Sequence, residues 1–213
     1  SRKIGLGVMG FADVLLALGI PYNSDAGVAF AEKLMAFIQA AGHAASAKLA
    51  DARGVFPLFA VSTLSAGENM RNATVTTIAP TGTLSIIAGC SSGVEPVFAF
   101  VYIRNVMDGT EMIEVNPVLL ETLRARGLYS DALIQKIASE GTLAHCDEIP
   151  EDIRRVFVCS HDISPVYHTK MQAAFQRHTD NAVSKTVNFA NSATRDDVRE
   201  VYLLAYREGC KGV

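Results

Sequence analysis

The sequence lacks any long apolar run. No hydrophobic segment approaches the roughly 20 residues that a membrane-spanning helix needs. No charged segment followed by an apolar one stands at the beginning, so a secretory signal peptide is not indicated. We therefore expect no membrane partner.

Cysteine and charge are also scarce. The four cysteines form no C-x-x-C pair and nothing demands disulfides, so a reducing, cytoplasmic setting is expected. Charged residues make up 19% of the chain and the net charge is −3, which argues against a nucleic-acid-binding surface. The cysteines are Cys90, Cys146, Cys159 and Cys210.

What the chain does have is hydrophobic content of 49% over 213 residues, enough for one substantial core. Apolar spacing, caps and turn residues predict alternating helices and strands, typical of an α/β layered or barrel protein. Three predicted strands are too few to close a barrel. With no initial Met and a strand-like end at 210–213, we expect a fragment of a longer protein. The predicted helices are 4–18, 26–52, 82–88, 117–126, 130–139, 165–179 and 195–208; the strands are 73–79, 97–106 and 184–189, with a turn at Asp108–Gly109.

The stretch TTIAPTGTLSIIAG, residues 76–89, is the strongest candidate for a ligand site. A strand that ends at Pro80 and continues through Thr81-Gly82-Thr83 into a short helix can bind phosphate, since the first helical N–H groups have no internal partner. The alternative is an ordinary capped turn. No Walker lysine follows, so a nucleotide-hydrolysing P-loop is not indicated.

Other polar residues allow weaker hypotheses. Glu95 is a candidate general acid or base, or a structural residue that caps a turn or pairs with Arg104. His168 and His178 do not share a helix face and are expected at the surface or core edge. Gln172 and Gln176 share a face that we expect to be exposed to solvent.

Two further patterns are considered and not favoured. His145-Cys146 and Cys159-Ser160-His161 contain the ligands of a Cys₂His₂ zinc site, but their spacing is not that of a zinc finger. Gly5-x-Gly7-x-x-Gly10 imitates the dinucleotide fingerprint, but no strand precedes it.

Taken in order, several stretches resemble one family. Residues 2–13, RKIGLGVMGFAD, look like the start of the late helices in the large subunit of ribonucleotide reductase. APTGTLS at 79–85 with SGVEP at 92–96 is similar to the vitamin B12-dependent class II reductases. The resemblance continues through DISP at 162–165, His168, MQAAFQ at 171–176, DNAVSKTVN at 180–188 and GCKGV at 209–213.

This resemblance implies an α/β fold, as the C-terminal part of a ten-stranded reductase barrel, with residues 1–213 as one domain. It implies reduction of a ribonucleotide, most often a diphosphate, by thiyl-radical chemistry that adenosylcobalamin initiates. The implied partners are a deoxynucleotide effector, a thioredoxin-like reductant and a second copy in a homodimer. The implied substrate-phosphate loop is Thr81, Gly82, Thr83, Leu84 and Ser85.

The chain also departs from the family. The Asn-Pro-Cys-x-Glu loop that holds the radical cysteine and catalytic glutamate is absent, so we assign no catalytic residue and no metal ligand. Asn188-Phe189-Ala190 stands where the family usually has Asn-Leu-Pro. We therefore expect this chain alone to be inactive. The alternatives are a non-catalytic nucleotide-binding module that acts with a partner chain, or the large subunit of a di-iron reductase.

Overall fold

The computed structural model describes residues 1–105 and 111–213, so the turn predicted at Asp108–Gly109 lies outside the described residues. The described residues form mostly helices, with one β-hairpin. In chain order they are α1 Phe11–Ala17, α2 Asp25–Arg53, α3 Gly82–Ala88, β1 Val101–Asn105, β2 Glu111–Val115, α4 Pro117–Ala125, α5 Asp131–Glu140, α6 Glu151–Val156, α7 Pro165–Gln176 and α8 Arg195–Arg207.

Three extended segments run parallel through the centre. The segment 1–7 pairs with 73–79 at a bridge between Leu6 and Thr76, and 73–79 pairs with 181–185 at a bridge between Ile78 and Val183. The amide of Leu6 donates to the carbonyl of Val75 at 2.7 Å, and the amide of Ser184 donates to the carbonyl of Ile78 at 2.9 Å. The strand predicted at 73–79 is thus the middle of the three segments, while the pairing of the last begins before the predicted Ser184.

The helix predicted over 4–18 is wrong in its first half, which is extended. Two glycines explain the difference. A Cβ on Gly7 would lie 2.2 Å from the carbonyl oxygen of Thr77, and one on Gly5 would lie 2.4 Å from the Thr77 Cγ2. These glycines therefore allow close approach of two backbones, and apolar spacing cannot reveal that pairing.

The other predicted helices are confirmed to within a few residues, because their ends carry clear cap signals. Ser24 accepts from the amide of Gly27 at the start of α2, and Thr194 and Asp197 form a capping box at the start of α8. The short α6 and the strand β2 were not predicted. β2 pairs antiparallel with β1, which lies inside the strand predicted over 97–106.

The helices enclose two hydrophobic clusters. In the first, α1 and α2 pack on α7, and the Phe11 ring contacts that of Phe175 edge-on with centroids 4.9 Å apart. In the second, α4 and α5 pack with β1 and α6 around Leu119, Leu123 and Ile137. Within the described residues, no helix is long and apolar enough to cross a membrane.

The two glutamine side chains on α7 are buried, and the predicted exposure of this helix face is wrong. Gln172 and Gln176 are 0% and 6% exposed, although solvent exposure was expected. Their Nε2 atoms donate to backbone carbonyls, Gln172 to Val183 and Gly212 and Gln176 to Asn181. Both side chains thus satisfy main chain that the helix buries, which is why the face is polar.

We expect Gly7→Ala to destabilise the protein by about 1–3 kcal/mol, because the new methyl group forces the two backbones apart. Thermal or urea unfolding measures the change. The matched control is Gly67→Ala, where a Cβ would meet only the Leu64 carbonyl at 3.7 Å. Equal stability of the two variants would contradict the close approach.

Candidate functional site

An open groove of about 870 Å³ lies where the three parallel segments end. Asp13 follows the first segment, Ser85 the second and Thr186 the third, and all three residues line the groove. In α/β proteins, ligands bind outside the carboxyl ends of parallel strands. The position of the groove therefore makes it the candidate functional site of the chain.

The loop that leads into α3 is held in an unusual conformation. Thr81 has φ 54° and ψ 25°, in the left-handed region that β-branched residues rarely adopt. Its hydroxyl does not cap the helix; instead Oγ1 accepts from the amide of Gly93 at 2.7 Å. Backbone strain of this kind persists only where surrounding contacts impose it, and it clusters at ligand sites.

The start of α3 leaves backbone donors available. The first helical bond runs from the amide of Ser85 to the carbonyl of Thr81 at 2.8 Å, so the amides of Gly82, Thr83 and Leu84 precede the helical bonding pattern. A Cβ on Gly82 would meet no atom within 4 Å, and Thr83 and Leu84 are exposed. The loop thus offers three amides beside open space.

Ser85 differs from the other four predicted phosphate-loop residues. It is buried, its hydroxyl donates to the carbonyl of Gly82 at 3.0 Å, and Oγ lies 2.7 Å from the Oγ of Ser92. Gly82, Thr83 and Leu84 are exposed and Thr81 is half-buried, but of the five residues only Ser85 lines the groove. The Ser85 hydroxyl turns inward and fixes the loop.

Glu95 is engaged through both of its carboxylate oxygens. Oε1 accepts from the amide of Thr186 at 2.6 Å, and Oε2 accepts from the ammonium of Lys185 at 2.7 Å. This geometry favours the structural alternative over a general acid or base. The partner considered from the sequence, Arg104, has a side chain that lies outside the described part of the structure.

Lys185 connects Glu95 to a buried histidine. Its side chain is fully buried, and Nζ also lies 2.9 Å from Nδ1 of His168 and 2.6 Å from the Thr186 carbonyl oxygen. The three ammonium hydrogens therefore have three acceptors. Burial lowers the pKa of Lys185, and the Glu95 carboxylate opposes that effect.

His168 is fully buried, which corrects the expected surface or core-edge position. Because Nδ1 accepts from Lys185, the proton lies on Nε2, which donates to the carbonyl of Ser160 at 3.1 Å. Burial, and then the Lys185 ammonium, lower the pKa of His168 to about 4. The imidazole is therefore neutral at physiological pH. His178, by contrast, is only half-buried, as expected for the core edge.

The cysteines weighed as ligands of a zinc site serve the packing, whereas His145 and His161 are exposed. Cys146 and Cys159 are buried in the second cluster, and Cys159 Sγ donates to the carbonyl of Gly141 at 3.4 Å. Burial and then Asp162 raise the pKa of Cys159 to about 12, so its thiol stays protonated. Among the described residues, no group of three or more potential ligands could hold a metal ion.

Sequence reasoning missed the cluster of Glu95, Lys185, His168 and Ser160. One signal was available. Lys185 stands inside a predicted strand, between the apolar Val183 and Val187, and a lysine that is buried at such a position requires a partner. The partner's identity was not accessible, because Glu95 lies 90 residues away in the chain.

The chain matches the family described as "Ribonucleotide reductase, barrel domain" over residues 1–70 and 66–213. It is 50% identical to the vitamin B12-dependent ribonucleoside-diphosphate reductase of Thermoplasma acidophilum, and 47% identical to that of Mycobacterium tuberculosis. Each match covers all of this chain but only 28% and 31% of those proteins, respectively.

A solved structure is similar as well. The alpha subunit of the class Id ribonucleotide reductase of Actinobacillus ureae aligns with a TM-score of 0.85 at 25% identity. The alignment covers 99% of this chain and 38% of that subunit. The α/β barrel expected from the resemblance is thus confirmed as the fold of which this chain forms a part.

We expect Lys185→Met to cost about 3–5 kcal/mol of stability, since it leaves the buried Glu95 carboxylate without its cation. Urea unfolding measures the loss. Lys136→Met is the matched control, because Lys136 pairs with Glu148 at the surface and should lose at most about 1 kcal/mol. Adding Glu95→Gln to Lys185→Met should recover part of the loss; no recovery would contradict a buried charge pair.

We expect stability to fall as the pH is lowered from about 6.5 towards 4. In that window the unfolded chain protonates His168 while the folded chain does not, so unfolding takes up a proton. The loss amounts to at most about 1.4 kcal/mol per pH unit. Melting temperatures between pH 7 and 4 should decline less steeply in His168→Gln, and parallel slopes would contradict the assignment.

Proposed function

We propose, on the premise that the chain belongs to the ribonucleotide reductase barrel-domain family, that it forms part of a vitamin B12-dependent ribonucleoside-diphosphate reductase. The chain spans less than a third of the curated relatives described above. Its role would be to bind the substrate by its phosphate end, with the reduction completed by residues outside this sequence. The radical and redox cysteines are among those residues.

The observation that carries this proposal is the start of α3. Three backbone amides face open space at Gly82, Thr83 and Leu84, and the helix dipole favours an anion there. The strained Thr81 is held by the amide of Gly93, and Ser85 fixes the loop from below. A loop already in its final shape needs little reorganisation to bind a phosphate.

Identity to named relatives favours vitamin B12 over a di-iron partner. The relatives at 47–50% identity are named vitamin B12-dependent, whereas the class Id structure stands at 25%. Adenosylcobalamin, when bound, would supply the radical that begins reduction of the ribose. The groove suits such a large amphiphilic group, because exposed apolar residues, Ile86 and Phe98, stand at its rim and polar residues line its wall.

The finer parts of the proposal concern the whole enzyme. It would act in the cytoplasm, take electrons from a thioredoxin-like reductant, respond to a deoxynucleotide effector and associate as a homodimer, with residues 1–213 within one catalytic domain. The four cysteines, which are unpaired with one another, suit a reducing compartment.

We expect the full-length reductase to bind a ribonucleoside diphosphate more tightly than the matching nucleoside, and Gly82→Val to abolish most of that difference. A valine side chain would fill the space in front of the three amides, with no neighbour within 4 Å of its Cβ to disturb. Calorimetry should record a loss of diphosphate affinity of about tenfold or more, equivalent to at least one charge-assisted hydrogen bond.

Thr83→Ala tests the hydroxyl and should weaken binding less. Gly67→Val, outside the phosphate loop, is the matched control and should bind as the wild type does. Equal binding of diphosphate by wild type and Gly82→Val would refute the phosphate loop. Dependence of turnover on added adenosylcobalamin separates this proposal from the di-iron alternative.

A further inference from the structure

Residues 55–70 form a compact surface loop, called the Ω-loop below. Its two ends meet, because the amide of Phe56 donates to the carbonyl of Met70 at 3.1 Å. Phe56 and Phe59 turn inward and are buried, with their rings edge-on and their centroids 5.4 Å apart. The loop leads into 73–79, so it lies where the parallel segments begin, whereas the groove lies where they end. Loops with joined ends and their own packed interior are frequently functional.

The outer side of the Ω-loop is apolar. Leu58 is 60% exposed, Val61 82% and Leu64 40%. No charged residue stands between Arg53 and Glu68 in the sequence. Exposed apolar side chains that are grouped on one surface indicate that a partner covers them.

Three arginines lie together at the base of the Ω-loop. Nη1 of Arg71 donates to the carbonyls of Arg53 and Gly54 at 2.7 and 3.0 Å. Asn72, the next residue, donates through Nδ2 to the carbonyl of Arg2 at 2.9 Å. Desolvation, and then the positive charges of Arg2 and Arg53, lower the pKa of Arg71. The three guanidinium groups are therefore close enough to repel one another.

This positive charge is not neutralised within the described part of the chain. No described carboxylate, Asp51 and Glu68 included, forms an ion pair with any of the three arginines. The whole chain has 19 basic against 22 acidic residues, so a cluster of unpaired cations is not a consequence of composition. Like charges that are held together without a counter-charge favour an anionic partner.

The chemistry of the surface restricts the kind of partner. Guanidinium groups match carboxylates in a bidentate geometry, and the loop beside them offers aliphatic side chains. A partner that satisfies both is acidic and amphipathic. A lipid surface is disfavoured, because the aromatic residues that would enter a membrane interface, Phe56 and Phe59, point into the loop. Since this chain alone holds the loop in shape, covering it is not required for folding, which favours a separate protein over a further segment of the reductase.

We propose that the Ω-loop and the arginines at its base form a docking surface for an acidic, amphipathic segment of a separate protein. Carboxylates of that segment would bind Arg2, Arg53 and Arg71, and its apolar side chains would cover Leu58 and Val61. The surface already has its shape before the partner binds, so little ordering opposes docking. This role goes beyond the proposed function, because the phosphate loop lies after the other end of the segment 73–79.

Charge reversal in the full-length reductase tests the proposal. The probe is a fluorescent peptide that alternates pairs of glutamate and leucine, and a second peptide has lysine in place of glutamate. The variant carries Arg2→Glu and Arg53→Glu, since both side chains are exposed. Its matched control carries Arg195→Glu and Arg199→Glu, which make the same change of charge at exposed positions on α8.

We expect the wild type and the control to bind the glutamate–leucine peptide and not the lysine–leucine peptide. The charge-reversal variant should bind the first peptide about tenfold more weakly or worse, as two exposed ion pairs are lost. It should bind the second peptide better than the wild type does. Raising the salt from about 0.05 to 0.5 M should weaken binding by the wild type, because salt screens exposed charges.

Leu58→Ser combined with Val61→Ser tests the apolar part of the surface. This variant should lose about tenfold in affinity for the glutamate–leucine peptide at low and at high salt alike, because apolar burial does not depend on screening. Phe37→Ser is its control, since Phe37 is an exposed apolar residue on α2 outside the Ω-loop. Diphosphate affinity should stay at the wild-type value in every variant.

Several results would overturn the proposal. They are a full-length wild type that does not bind the glutamate–leucine peptide, and equal binding by the charge-reversal variant. Tighter binding to phosphatidylserine vesicles than to the peptide would make the surface a membrane contact instead. Protection of the Ω-loop from hydrogen exchange in the free enzyme would show that the reductase covers it with its own chain. Failure of the wild type to bind diphosphate would count against the proposed function alone.

Discussion

The site depends on one buried ammonium. Lys185 is withdrawn entirely from water, a position that an unpaired charge could not occupy. Its three hydrogens reach a carboxylate, an imidazole nitrogen and a backbone carbonyl, so desolvation is offset by charge-assisted bonds. Because those acceptors belong to Glu95, His168 and Thr186, one side chain fixes the relative positions of three separate parts of the chain.

A carboxylate plays the corresponding role at the other end of the same segment. Asp180 accepts from the amides of Val75 and Thr76 at 2.7 and 3.2 Å, and lies 3.0 Å from Nε2 of His43 on α2. Although burial opposes ionisation, these hydrogen bonds keep the pKa of Asp180 below its ordinary value. The segment 181–185 is thus anchored by a negative charge where it begins and by a positive charge where it ends.

The parts of this architecture that were predictable are the local ones. Caps and apolar spacing placed α2, α4, α5, α7 and α8, because a helix satisfies its own backbone and its signals lie within a few residues. The segment at 1–7 was misread, since its conformation is decided by pairing with residues 70 positions away. The same limit applies to the buried Gln172 and Gln176, whose acceptors come from segments beyond their own helix.

The candidate site shows the same difference between local features, which the sequence predicts, and long-range contacts, which it does not. Pro80, Gly82 and the hydroxyl residues around them identify a turn into a helix, so the loop was predicted from its own sequence. The Glu95–Lys185 pair was not, because its two residues lie 90 positions apart in the chain and neither identifies the other. The sequence therefore predicted the turn into α3, but not the contacts that hold this turn in place.

The cluster around Lys185 lies next to the strained loop beside the groove. The Thr81 hydroxyl accepts from the amide of Gly93, and Glu95, two residues on, is bonded to Lys185 and Thr186. Ser160 is placed by the same cluster through His168. The stability gained at these buried, fully satisfied groups thus helps to hold a strained loop beside the groove. Preorganisation of this kind lowers the free energy that a ligand must supply to order its site.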